Sequence, residues 1–177
     1  MTHMRIFPLL GLAVLLAACN PAQNWRQVTF EGTALKAQLP CKPDRTTRHV
    51  PLGGVPLPLH VAGCESGDAM LALMTAALPA GMDPQAVLAG WQQATLAHLH
   101  AEGPVQAEAW HRPAMLSLGS AQRVQASGRR QDGQPVTLQA VWGAYAEGGH
   151  IRVVHAVIYA GKIAPELASG LFDGVQP

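Results

Sequence analysis

Residues 122–142, "QRVQASGRRQDGQPVTLQAVW", consist of two extended segments on either side of a tight-turn signal. Asp132-Gly133 is a residue pair that favours the short turns of β-hairpins. In the second segment apolar side chains alternate with Thr137 and Gln139, which is typical of a strand with one face on the core. The apolar positions are Val136, Leu138, Ala140 and Trp142. The stretch therefore predicts an antiparallel hairpin with one buried face.

A second hairpin signal lies earlier in the chain, within residues 46–64, "TTRHVPLGGVPLPLHVAGC". Gly53-Gly54 favours a two-residue turn, because glycine adopts the positive φ values that such turns require. Pro56 and Pro58 lack backbone N–H groups two residues apart, so both missing donors point to the same side. This pattern favours an edge strand.

The other strands are predicted from composition and alternation. Residues 25–30, "WRQVTF", and 34–40, "ALKAQLP", favour short strands. Residues 69–79, "AMLALMTAALP", are apolar at both odd and even positions and would suit either a helix or a strand. The length of this run and its flanking turn residues favour a central strand buried on both faces. Residues 150–160, "HIRVVHAVIYA", predict another apolar strand.

Two helices are predicted between and after these strands. Asp83-Pro84 is an N-cap followed by proline at the first helical position, and the helix is expected to end near Ala101. At 100° per residue its apolar stripe comprises Val87, Leu88, Trp91, Ala94, Thr95, His98 and Leu99. A closing helix is predicted from Ala164-Pro165 and carries Leu167, Leu171 and Phe172. The order predicts an α+β fold, a largely antiparallel β-sheet with a central and a C-terminal helix packed on it.

The N-terminal segment has the layout of a secretory signal. Arg5 precedes an apolar run over residues 6–16, which is shorter than the roughly 20 residues that a membrane-spanning helix needs. Either Met1 or Met4 could be the start. We predict a signal peptide over residues 1–18, an anchor and short spacer over 19–24, and a single periplasmic globular domain over 25–177.

Residues 16–19, "LAAC", resemble the bacterial lipobox, in which small residues precede a cysteine that receives a diacylglycerol thioether. The resemblance implies lipidation of Cys19, with the lipid bilayer as a partner, since two or three acyl chains hold a protein stably at a membrane. Asn20 stands where an aspartate would favour the inner membrane, so the outer membrane, facing the periplasm, is expected and the inner membrane is the alternative. A soluble secreted protein cleaved near Ala18 is a further alternative.

The two remaining cysteines, Cys41 and Cys64, are predicted to form a disulfide, because exported chains meet an oxidising compartment. A metal site is the rival interpretation, although the pair lacks the CxxC spacing typical of zinc sites. With Cys19 carrying lipid, no odd thiol remains for nucleophilic chemistry.

Charge and composition limit the kinds of partner. The chain has 177 residues with a formal net charge of +1, which does not favour nucleic-acid binding. Its densest basic group comprises Arg123, Arg129 and Arg130, a candidate partner patch whose plainer interpretation is the solvated end of a hairpin. We expect a protein partner in the cell envelope.

Histidines and serines supply the remaining candidates for chemistry. In the Gly53-Gly54 register His49 and His60 lie diagonally across the hairpin, which makes them weak candidates for a metal site. His155 shares the parity of apolar neighbours and is predicted to be a hydrogen-bonded core residue. No GxSxG motif is present, and we predict neither a cofactor nor an enzymatic activity. The alternative is an envelope hydrolase whose catalytic residues are dispersed in sequence.

The whole pattern resembles a known family. A strand from Trp25 to Phe30, the segment "LPCKPDR" over residues 39–45, a long hairpin and a central helix precede "RVQASGRRQDGQPVTLQAVW" and a short final helix. This order is similar to the PsbP-like α/β/α sandwich family, which includes bacterial envelope lipoproteins of the DcrB type. The resemblance spans nearly all of residues 25–177 and implies a non-enzymatic binding, assembly or accessory role. The disulfide is not part of the general family pattern, and no ligand site carries over.

Overall fold

The computed structural model describes residues 24–177. The predicted signal peptide and Cys19 lie outside these residues. In the described part the elements are β1 Arg26–Thr29, β2 Lys36–Leu39, β3 Asp44–Leu52, β4 Val55–Ser66, β5 Ala69–Leu78, α1 Pro84–His98, β6 Glu102–Ala109, β7 Gln122–Arg129, β8 Pro135–Glu147, β9 His150–Ala160 and α2 Pro165–Asp173. The predicted α+β class with a mostly antiparallel sheet is confirmed.

Seven strands form one antiparallel sheet in the order β3-β4-β5-β9-β8-β7-β6, and β1 and β2 pair in a separate two-stranded sheet. Both predicted hairpins are present. In the first, Leu52 pairs with Val55 and His49 pairs with Pro58, as the Gly53-Gly54 turn requires. Both turn glycines have positive φ values, 60° and 81°, which explains why glycine occupies these positions.

The large sheet carries apolar residues on both faces, and each face has its own cover. One face packs against the β1–β2 sheet and α2, through Leu39, Leu71, Ile158, Leu171 and Phe172 among others. The other face packs against α1, through Val87, Leu88, Leu138, Trp142 and Val153 among others. The two helices therefore lie on opposite faces of the sheet.

Helix α1 begins as predicted, with Asp83 accepting a hydrogen bond from the Gln85 N–H at 3.0 Å. It ends at His98, earlier than the predicted Ala101, because the next turn is fixed to the sheet. The Leu99 carbonyl accepts a hydrogen bond from the Arg129 N–H at 2.9 Å. A Cβ at Gly128 would lie 2.3 Å from the same oxygen, so only glycine permits this approach.

The chain then enters β6, a strand that the sequence does not predict. β6 is an edge strand, its residues are all exposed, and its pairing with β7 shifts register between Glu102 and Gln106. Gly103 and Pro104 disfavour a regular strand locally. The strand forms because β7 offers its open edge directly after the fixed end of α1.

The Cys41–Cys64 disulfide is confirmed, with the two Cα atoms 6.0 Å apart. The β3–β4 ladder begins at the pair Asp44 and Gly63, so the bond closes the hairpin just beyond its open end. It thereby fixes the segment that leads from β2 into the edge strand β3.

We expect the double variant Cys41→Ser/Cys64→Ser to lower the free energy of unfolding by about 3 kcal/mol, because the bond restricts a loop of about 24 residues in the unfolded chain. Urea denaturation measured by circular dichroism checks this. Wild-type protein treated with reductant is the matched control and should unfold with the same midpoint as the variant. An unchanged midpoint in both would contradict a stabilising role for the bond.

Candidate functional site: an apolar groove beside α1

A groove runs between α1 and the sheet face that this helix covers, with a volume of about 830 Å³. Its walls come from α1, from the turn of the β3–β4 hairpin and from strands β5 and β9. Most of the lining side chains are apolar, including Val50, Leu59, Met74, Trp91 and Tyr159. We call this feature the α1 groove.

The groove exists because α1 leaves part of its sheet face uncovered. Met74 pairs with the buried His155 on one side and with Val61 on the other, so this row of side chains passes out from beneath the helix. Val61 and Met74 are half-buried, and Met70 is 46% exposed. The prediction that strand 69–79 is buried on both faces is therefore correct for the face toward α2. On the face toward α1 it is correct for Ala76 and Leu78 and wrong for Met70 and Met74.

Two further depressions adjoin the α1 groove on the same face. One, of about 770 Å³, runs along β3, β4 and β5 and shares Arg48, Val50 and Met74 with the groove. The other, of about 200 Å³, lies between Met70 and the end of α1 and shares Tyr159. Together they make one continuous and largely apolar surface.

His155 forms part of the groove floor and is 1% exposed. Its ring stacks on Trp142 with centroids 4.3 Å apart, and Trp91 meets it edge-on at 5.1 Å. Nδ1 lies 3.1 Å from the Val141 carbonyl oxygen, which can only accept, so Nδ1 carries the proton and Nε2 does not. The prediction of a hydrogen-bonded core histidine is confirmed.

Burial lowers the pKa of His155 to about 4, because the protonated ring would lose its hydration. The imidazole is therefore neutral near pH 7 and is a weak base. Burial also raises the pKa of Tyr159, which keeps this second groove residue in its neutral form. The floor of the groove thus carries no charge at neutral pH.

The rim of the groove carries the positive charge of Arg48. Arg48 on β3 and His98 at the end of α1 both line it and are exposed, and no carboxylate of the described residues lines the same groove. Arg48 makes no side-chain hydrogen bond or ion pair within residues 24–177. His98 is predicted in the apolar stripe of α1, but its ring is exposed and its Nδ1 contacts the Ala94 carbonyl at 3.0 Å.

The predicted arginine patch does not form as one surface. Arg129 pairs with Glu102 at 2.9 Å near the hairpin turn, and Arg130 also lies there. Arg123 lies six residues from Arg129 along β7, which corresponds to about 20 Å of extended strand. There it donates to Gln139 at 3.0 Å and lies over the Phe172 ring, so it has a separate environment.

The candidate metal pair His49 and His60 lies on the opposite face of the sheet from the groove. The strand register places the two residues diagonally, as predicted, but His60 Nδ1 is 3.0 Å from the Thr47 hydroxyl. Within residues 24–177 no group of three or more histidine, cysteine, aspartate or glutamate side chains has the geometry of a metal site.

A second polar cluster connects the small sheet to the large one. Glu147 and Arg152 form an ion pair at 2.6 Å, and Glu147 also accepts a hydrogen bond from the Ala34 N–H between β1 and β2. Both charged side chains are about one-fifth exposed, at 21% and 19%. The carboxylate is thus engaged in joining two layers, which is a structural role.

The fold and the site together define an α+β domain with a neutral, apolar groove and a cationic rim on one sheet face. Among residues 24–177, none of the helices has both the length and the apolar character needed to cross a bilayer. No protein-family model matches the chain, and no curated protein sequence matches it.

The lowered pKa of His155 predicts a specific pH dependence of stability. Between the ordinary pKa of 6.5 and the folded-state pKa of about 4, the unfolded chain binds the proton more readily than the folded one. Stability is therefore lost as the pH falls through this window, by an amount on the order of 3 kcal/mol. Denaturant unfolding at a series of pH values measures it.

His155→Phe is the matching variant, because it keeps an aromatic ring in the stack and removes the titration. Its free energy of unfolding should fall less steeply between these pH values than that of the wild type. His150→Gln, at an exposed position on the same strand, should retain the wild-type slope. Parallel slopes for wild type and His155→Phe would show that another group carries the dependence.

Proposed function

We propose that this protein is a bacterial envelope lipoprotein, tethered to the outer membrane through acyl chains on Cys19, whose periplasmic domain acts by binding and not by catalysis. The tether rests on the lipobox-like "LAAC" at residues 16–19. The binding role rests on the α1 groove, a concave apolar surface of the kind that binding sites commonly provide.

The chemistry of the groove supports binding over catalysis. His155 is its buried titratable base, and a pKa of about 4 makes this imidazole a poor proton acceptor near neutral pH. The side chains packed on its ring are those of Trp91 and Trp142, neither of which is a nucleophile. A hydrolase would need an activated nucleophile next to such a base.

The position of the first described residue is compatible with a short tether. The Asn24 N–H donates to the Pro40 carbonyl at 3.0 Å, next to the disulfide at Cys41. Five residues of chain reach at most about 18 Å when fully extended. A lipid on Cys19 would therefore hold this end of the domain close to the bilayer surface.

The layer order supports an assignment to the PsbP-like α/β/α sandwich family, since α1 and α2 lie on opposite faces of one antiparallel sheet. We infer from this resemblance an accessory or assembly role in the envelope, with an envelope protein as partner.

Replacement of the proposed lipid attachment residue should change where the protein is found. We expect Cys19→Ser to leave the membrane fraction, or to accumulate as an uncleaved precursor, because the thioether can no longer form. Fractionation of cells expressing the full chain, with immunodetection, measures this. Asn20→Asp is the matched variant and should keep the protein membrane-bound while moving it to the inner membrane. Recovery of Cys19→Ser with the outer membrane at wild-type levels would contradict the tether.

The binding role has a separate test that does not depend on the tether. Nile red, a neutral apolar dye, should bind the Cys19→Ser full chain with enhanced fluorescence. Ala94→Phe places a larger side chain into the groove from the exposed face of α1 and should reduce the signal. Ala97→Phe, on the same helix but not in the groove lining, is the control and should leave it unchanged. Equal signals from both variants would contradict an accessible groove.

A further inference from the structure

We propose that the α1 groove binds a fatty acid, with the alkyl chain along the apolar floor and the carboxylate at Arg48. The inference rests on the proposed binding role and names the ligand class of that same site. Four features of the structure support it: the extent of the apolar surface, the flexibility of its side chains, the position of one cation, and the absence of backbone partners on the floor.

The apolar surface is large enough to hold an unbranched chain. The groove has a volume of about 830 Å³, and the adjoining depression of about 770 Å³ shares Val50, Leu59 and Met74 with it. Each is within the range of roughly 300–1,000 Å³ that small-molecule sites occupy. Met74 and Met70 contribute unbranched side chains that can adapt to an irregular ligand surface.

The charge lining the α1 groove itself favours an anionic head group at Arg48. Arg48 lines both the groove and the adjoining depression, and its guanidinium makes no ion pair or hydrogen bond within residues 24–177. A guanidinium matches a carboxylate through two parallel hydrogen bonds. Charged side chains of both signs, Lys42, Asp44 and Glu65, line the depression beyond Arg48 but not the groove. A carboxylate at Arg48 would therefore place its alkyl chain along the groove, toward Trp91 and Tyr159.

The floor of the groove suits an alkyl chain better than an extended peptide. It is a sheet face, and the backbone N–H and C=O groups of β5 and β9 are paired with each other along the ladder from Met70 to Leu78. A peptide lying across this face would bury its own backbone groups without partners, which is costly. An alkyl chain has no such groups, and each buried CH₂ contributes about 0.8 kcal/mol.

The test uses the full chain carrying Cys19→Ser and dodecanoate as the probe. We expect saturable binding, measured by displacement of Nile red and by intrinsic tryptophan fluorescence, to which Trp91 in the groove lining contributes, with one dodecanoate per chain in native mass spectrometry. Ala94→Phe should weaken binding by about tenfold or more, since it fills the groove, and Ala97→Phe should have little effect.

The role of Arg48 is tested by comparing two ligands of equal chain length. Arg48→Gln should weaken dodecanoate binding about two- to fivefold, as expected for an exposed ion pair, and leave the binding of dodecanol unchanged. Arg26→Gln, at an exposed position on β1 and remote from the groove lining, is the control and should change neither. A loss that affects both ligands equally would overturn the assignment of the carboxylate to Arg48.

Three further outcomes distinguish fatty-acid binding from the general binding role of the groove. Binding of Nile red without saturable binding of dodecanoate would overturn the fatty-acid assignment and leave the binding role intact. Binding to anionic phospholipid vesicles, again without dodecanoate binding, would overturn it in favour of a membrane surface. Failure of Nile red and dodecanoate alike would overturn both proposals.

Discussion

Strand β9 carries apolar side chains on both faces at the centre of a seven-stranded sheet, and the fold depends on covering both of them. The first face is covered broadly by α2 together with the β1–β2 sheet. The second is covered mainly by α1, whose 15 residues make a helix about 22 Å long, with Leu116 and Leu118 of the β6–β7 loop also packed on this face. A helix about 10 Å wide covers two or three strands spaced about 4.8 Å apart, so some strands stay open. The α1 groove therefore exists because a single helix is narrower than the seven-stranded sheet face on which it packs.

Features set by local patterns were predictable from the sequence. Gly53-Gly54 determines the register of its hairpin, because a two-residue turn fixes which residues lie opposite each other. That register placed His49 and His60 diagonally across the hairpin, with His49 opposite Pro58, as found. The parity of His155 with apolar neighbours likewise predicted its burial, since a strand places alternate residues on the same face.

Features that depend on the arrangement of layers were not predictable in this way. Met74 and Leu73 are equally apolar in sequence, and only the position of α1 decides that Met74 is half-exposed while Leu73 is buried. Strand β6 has no apolar alternation, and its conformation comes from the open edge of β7. Arg123 and Arg129 are close in sequence, but they lie near opposite ends of the extended strand β7. Counting the basic residues in a short stretch of sequence therefore makes these side chains seem closer together than they are.

The two edges of the large sheet have a consequence for how copies of the chain behave at high concentration. An edge strand exposes unpaired backbone groups, to which a strand of a neighbouring molecule can add. At one edge, β6 contains Pro104 and an interrupted register; at the other, β3 contains Pro51, Arg45 and Arg48. Proline removes a donor and charged side chains oppose stacking, so both edges resist strand addition. Crowded copies should therefore stay separate without a dedicated cover over either edge.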